Sequence, residues 1–144
     1  MDIDGLVEEG HLQRIRPSKE LAEKEFAEAE YDLQHAKASL AEKDHKWAIV
    51  KAYFAVFHSA KAILFLMGLK ERSHFAVGEV LDSLCSEGKL ENRFVADFKA
   101  ALSARQAADY HYDYSDRRAD EMVELAGEFT ARMEALGKRF KVSS

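Results

Sequence analysis

A chain of 144 residues has the size of one ordinary domain and can bury roughly 70% of the surface its unfolded form exposes, so it needs no disulfide or metal staple. Its formal charge of -5 and pI near 5.7 exclude coating nucleic acid by bulk electrostatics and leave room only for a local basic patch. Its single cysteine, Cys85, excludes an internal disulfide and fits a reducing compartment, so a cytoplasmic location is expected.

Residues 1–17 are rich in charge, poor in apolar periodicity and closed by Pro17. They are read as a flexible leader with no export signal, since no apolar core of signal-peptide length is present. Ser18 is placed to cap a long helix running to about Lys43. Its apolar residues Ala22, Phe26, Ala29, Leu33, Ala36 and Leu40 step by four and three, which predicts a seam facing a neighbour. The next helix, about 46–67, is apolar on nearly every side. It has the length of a membrane span, but Lys51, His58 and Lys61 interrupt its centre, where lipid penalises charge, so a buried core helix and no membrane are expected.

Gly68 is placed to end that helix in a left-handed cap. Ser73 can cap a short third helix that stops near Gly88. A fourth, about 90–110, carries Phe94, Phe98, Ala101, Arg105, Ala108 and Tyr112 along one stripe. Ser115 or Asp116 caps a fifth, with Ala119, Met122, Ala126, Phe129, Met133, Leu136 and Phe140 on its apolar face. No stretch alternates with period two for long enough to predict a strand. The expected fold is all-α: an antiparallel bundle of four to five helices over residues 18–140, with 141–144 as a tail.

Two Glu-x-x-His spacings, Glu42 to His45 and Glu71 to His74, have the form used by di-iron bundles. Both fall at predicted helix ends among polar residues rather than mid-helix in a core, so no metal and no cofactor are expected. His58, within the apolar second helix, is read as a core histidine satisfied by a neighbouring helix.

The informative segment is 103–114. Arg105 sits on an apolar stripe where leucine would serve stability better, so its guanidinium needs a partner or a water-filled cleft. Asp109 lies four residues on, about 40° around the helix, and can pair with it. Tyr110, His111, Tyr112 and Tyr114 crowd the stretch that follows. On a regular helix Tyr112 lies about 20° from Arg105 and His111 about 120° away. His111 can turn toward Arg105 only if the helix ends or distorts, and Asp113 with Ser115 favours such an ending.

Two segments together resemble the HEPN family of helical domains. One is Lys51-Ala52-Tyr53-Phe54-Ala55-Val56-Phe57-His58-Ser59-Ala60-Lys61-Ala62-Ile63-Leu64, followed by Gly68, Ser73-His74 and Val77. It is similar to that family's small-and-aromatic second helix, glycine stop and Ser/Thr-His start to the third. The other is Arg105 through Tyr112, similar to the family's Arg-x(4–6)-His signature. The resemblance covers roughly residues 18–140. It implies a bundle like the substrate-binding subunits of nucleotidyltransferases, usually paired into a homodimer. In active members the Arg and His of both subunits meet and cleave RNA without metal. Many members are toxins neutralised by a small nucleotidyltransferase, and others only bind.

Carried over, Arg105 matches the arginine and His111 the histidine, with Asp109, Tyr110 and Tyr112 in support. The chain departs from the common pattern at Gln106, where many active members have Asn, Asp or His. It departs again at Tyr110 and Tyr112, which flank a shifted histidine. Its Arg-x-x-Ala-Asp-Tyr stretch is similar to a subgroup of uncharacterised HEPN proteins. The resemblance therefore implies a dimeric module that binds RNA, a nucleotide or a small nucleotidyltransferase in a toxin–antitoxin-like pair. The alternative is a metal-independent ribonuclease toxin using Arg105 and His111. Surplus apolar surface on the second helix points to a homodimer through that helix and the 105–112 stretch.

Overall fold

The computed structural model describes residues 2–142. In chain order the elements are α1 (Ile3–Glu8), β1 (Leu12–Arg14), α2 (Lys19–Ala41), α3 (His45–Leu66), β2 (Leu69–Glu71), α4 (His74–Ser86), α5 (Asn92–Tyr110) and α6 (Asp116–Gly137). The caps fall where the sequence puts them. Ser18, Ser73 and Ser115 each accept a hydrogen bond from the backbone N–H three residues on, at 3.1, 3.2 and 3.1 Å. Each satisfies one of the donors that a helix start leaves without an intrahelical partner.

The α2 seam is buried at Ala22, Ala29, Leu33 and Ala36, with Phe26 and Leu40 half-buried. It packs along α3, which also contacts α6 and α5. Fourteen of the 22 residues of α3 are buried, so one bundle covers most of this helix without a second subunit. Among the described residues, α3 is the one helix long and apolar enough to cross a membrane, and most of it lies inside the bundle. What stays partly open is the row Trp47, Lys51, Phe54, His58 and Lys61, stepping by four and three, with Phe57 beside it.

The N-terminal segment differs from the loose leader expected. It forms α1, capped by Asp2 on the Gly5 N–H at 2.8 Å, and β1, which pairs antiparallel with β2. The strands are three residues each, too short to leave a period-two pattern. Leu6 and Leu12 are fully buried and join the core. Backbone bonds fix the junction: the Ile15 N–H donates to the Gly68 carbonyl at 2.9 Å, and the Ser18 N–H to the Phe65 carbonyl at 3.0 Å, an acceptor it shares with the Gly68 N–H at 3.2 Å.

Gly68 makes this close approach feasible. Its φ is +77°, and a Cβ there would lie 2.8 Å from the Ile15 carbonyl oxygen and 3.0 Å from Pro17 Cγ. Gly68→Ala should therefore lower stability by about 1–3 kcal/mol through backbone strain and overlap. Urea denaturation checks this; an unchanged midpoint would show that the junction is not tightly held.

Candidate functional site

The site is built where α5 crosses α3 at the start of α4. Phe94, Phe98, Ala101, Ala104 and Ala108 bury one side of α5 and fix its rotation. That rotation leaves Arg105 half-buried at the edge, its side chain 30% exposed. The guanidinium carbon lies 5.0 Å from the ring centre of Tyr53 and 4.9 Å from that of Phe54. Arg105 Nε–H donates to Asp109 Oδ2 at 3.4 Å, a long bond. Rings and carboxylate together replace part of the lost hydration, each at a fraction of a kcal/mol to roughly 2 kcal/mol.

Tyr53 is fully buried, and its hydroxyl is hydrogen-bonded to Nδ1 of His74, the first residue of α4. Burial pushes the phenol up to about 12, against the pull of Arg105. It stays protonated at neutral pH. His74 moves the other way: burial and the Arg105 cation lower its pKa, with Glu71 opposing them. The phenol is protonated and the imidazole neutral at neutral pH, and the hydroxyl and Nδ1 share one hydrogen bond in which either group is able to donate.

His74, Leu102, Arg105, Gln106, Asp109 and Tyr110 line a cleft of about 270 Å³. It holds a partly desolvated cation, a neutral imidazole and an amide, with the Asp109 carboxylate pairing the cation. The cation and the two neutral groups suit an anion whose oxygens are spread in space, such as a phosphate, against the repulsion of that carboxylate.

The remaining predicted residues separate. Helix α5 ends at Tyr110, and His111 is its C-cap, its N–H donating to the Ala107 carbonyl at 3.0 Å. Tyr112 then takes a left-handed φ of +54°, a conformation that costs a non-glycine residue about 1 kcal/mol. It reverses the chain so that the Asp113 N–H also reaches the Ala107 carbonyl, at 3.1 Å. Asp113 pairs with Arg118 of α6 at 3.5 Å. Tyr112 is therefore not on Arg105's face, as a regular helix would have it. Tyr110 and Tyr112 are each 76% exposed. His111 is exposed beyond the cleft, and among the described residues no side-chain bond ties it to Arg105.

His58 is bonded by a neighbouring helix as expected, but it lies in the partly open row rather than in the core, its side chain 25% exposed: its Nδ1 bonds Glu25 of α2 at 3.1 Å, with Asp32 at 3.8 Å from Nε2. Lys61 links Glu25 at 3.7 Å to Glu71 at 3.5 Å. The two Glu-x-x-His spacings thus have other uses. Glu42 is the C-cap of α2, Glu71 is engaged by Lys61, and His74 by Tyr53.

The chain matches the HEPN domain family over residues 22–136. It belongs to the HEPN family. A Methanocaldococcus jannaschii protein named "Putative toxin MJ0605" is 30% identical over 107 residues, which cover 73% of this chain and 80% of that protein. The crystal structure of TT1696 from Thermus thermophilus has the same fold, with a TM-score of 0.68 at 22% identity over 80% of this chain and 97% of that one. The matched span leaves α1 and β1 outside.

His74 lines this HEPN domain's cleft; the sequence marks it only as the Ser73-His74 start of a helix and as the end of a Glu-x-x-His spacing, neither of which gives it a place in the cleft. The usable signal was its place directly after a serine cap, which sets it in the first turn of α4 beside α3. The two histidines should titrate in opposite directions from 6.5. The Glu25 bond raises His58, so its stabilising effect is complete below 6.5 and lost as pH climbs through the raised value. His74 is lowered, so its stabilising effect is complete above 6.5 and fades as pH falls below it. NMR titration of the ring protons checks both; a His74 midpoint above that of His58 would contradict the assignment.

Proposed function

We propose that the protein is the toxin-like member of a toxin–antitoxin-like pair, acting as a homodimer whose Arg105 clefts bind the phosphodiester backbone of RNA or a nucleotide phosphate. The observation that carries this reading is the guanidinium of Arg105, held against Tyr53 and Phe54 at the edge of a cleft. A bundle gains little stability from an arginine there, whereas a phosphate gains a cation whose hydration has already been partly removed. With its ring proton on Nε2, His74 adds an N–H donor to the same anion. The named relative supports the toxin-like role. A small nucleotidyltransferase is the partner that fits the family.

The dimer is argued from the open row of α3. Trp47 is 47% exposed and Phe54 and Phe57 are half-buried, and this row runs directly into the Arg105 cleft. Its aromatic members, alternating with Lys51, His58 and Lys61, make a mixed strip continuous with the site, which suits an isologous contact. Such a dimer brings the exposed His111 of each subunit near the pair of clefts.

A second reading follows from that histidine. At the exposed end of the helix that carries Arg105, His111 is able to take the proton from a ribose 2′-hydroxyl as its oxygen attacks the adjacent phosphorus. The P–O5′ bond breaks and the leaving O5′ takes a proton from solvent, giving a 2′,3′-cyclic phosphate and a 5′-hydroxyl end, while Arg105 stabilises the charge on the phosphoryl oxygens. This is a metal-independent ribonuclease with Arg105 and His111 in the active roles.

Sedimentation at micromolar concentration should give a dimer; a clean 16.3 kDa monomer would contradict the shared-cleft arrangement. Incubation with single-stranded RNA in EDTA separates the two readings. Binding without cleavage supports the first. Cleavage abolished by His111→Ala, with binding retained, supports the second. No binding and no cleavage by the wild type would contradict both.

A further inference from the structure

The β1–β2 ribbon carries a concentration of positive charge beside the cleft, and β1 lies outside the matched HEPN span. Its register sets Leu12 opposite Glu71 and Arg14 opposite Leu69, with Gln13 opposite Lys70 between them. Leu12 and Leu69 are buried, so alternation turns Gln13 and Lys70 outward. Arg72 continues that outward row, its backbone N–H bonded to the His11 carbonyl at 2.9 Å. Its guanidinium donates to the neutral amide of Gln13 at 3.0 Å. Arg16 lies two residues past the strand.

Arg16, Lys70 and Arg72 are exposed, and among the described residues none of them takes part in an ion pair. Of the acids nearby, Asp4 bonds Arg14 and Glu71 is ion-paired with Lys61, and among the described residues Glu8 and Glu9 make no ion pair with the ribbon. In a chain of net charge -5, an uncompensated basic cluster needs a reason. The chain leads from Arg72 through Ser73 to His74, which lines the Arg105 cleft. Phe75 follows, 53% exposed, its ring edge-on to His11 with centres 5.6 Å apart. Tyr110 stands exposed at the cleft itself.

We propose that this ribbon is a landing track for single-stranded RNA, with Lys70 and Arg72 meeting successive phosphates and Phe75 stacking a base as the strand enters the Arg105 cleft. This rests on the cleft being an RNA site. The chemistry is that of single-strand binders generally: cations follow the backbone and an exposed ring accepts a base without reading its sequence. The N-terminal segment supplies one strand of the ribbon, which gives it a role in binding as well as in the core.

Fluorescence anisotropy with a labelled oligouridine tests the track on the full chain. Lys70→Ala with Arg72→Ala should raise Kd roughly tenfold or more at low salt and flatten the slope of log K against log salt by roughly 1.4, two phosphates' worth. Phe75→Ala should raise Kd with the salt slope unchanged. Circular dichroism should show both variants folded. Arg105→Gln reports on the cleft separately. If it abolishes binding while the ribbon variants bind as wild type does, the track is overturned and the cleft reading stands. If the ribbon variants lose binding and Arg105→Gln keeps it, the track stands and the cleft reading fails. If polyglutamate binds the wild type as tightly as the RNA, with the same dependence on Lys70 and Arg72, the ribbon is a surface for an acidic protein and the proposal is overturned.

Discussion

Everything in this fold answers to one constraint: α3 is apolar on almost every side and must be covered on almost every side. Helices α2, α5 and α6 supply most of the cover. The N-terminal segment closes its far end through Ser18 and Ile15, where Gly68 lets the backbones meet. The cover stops along a single row of α3. That row is where the polar and aromatic side chains of the helix are concentrated, and the site stands beside it.

The cleft follows from how that gap is edged. Tyr53 is buried, yet its hydroxyl reaches out to His74 and its ring supports Arg105. One residue thereby hydrogen-bonds a histidine and supports a cation. Burial keeps the phenol protonated, and burial together with the guanidinium disfavours a positive charge on the imidazole. On the proposed reading these groups stand ready before an anion arrives, a form of electrostatic preparation that costs little rearrangement on binding.

Helix positions and caps were legible in the sequence because periodicity and serine caps are local signals. Ser18, Gly68, Ser73 and Ser115 all act as their surroundings predict. The pair Arg105–Asp109 was legible for the same reason, being one helical turn apart. The ribbon was not, since three-residue strands have no period to detect, and β1 and β2 are separated by the whole of α2 and α3. His74 was hidden because its partners are tertiary: Tyr53 comes from another helix. Tyr112 misled because a regular helix was extended past Tyr110, where a left-handed residue in fact turns the chain away.

On the proposed reading Arg105 is kept for a ligand and not for the fold. Replacing it with methionine keeps a long flexible side chain and removes the charge, so urea denaturation of Arg105→Met alongside RNA-binding anisotropy tests the claim directly. Stability within about 0.5 kcal/mol of the wild type, or above it, together with loss of binding, is the predicted result. A large loss of stability with binding intact would show that the guanidinium holds the bundle together and would contradict the account.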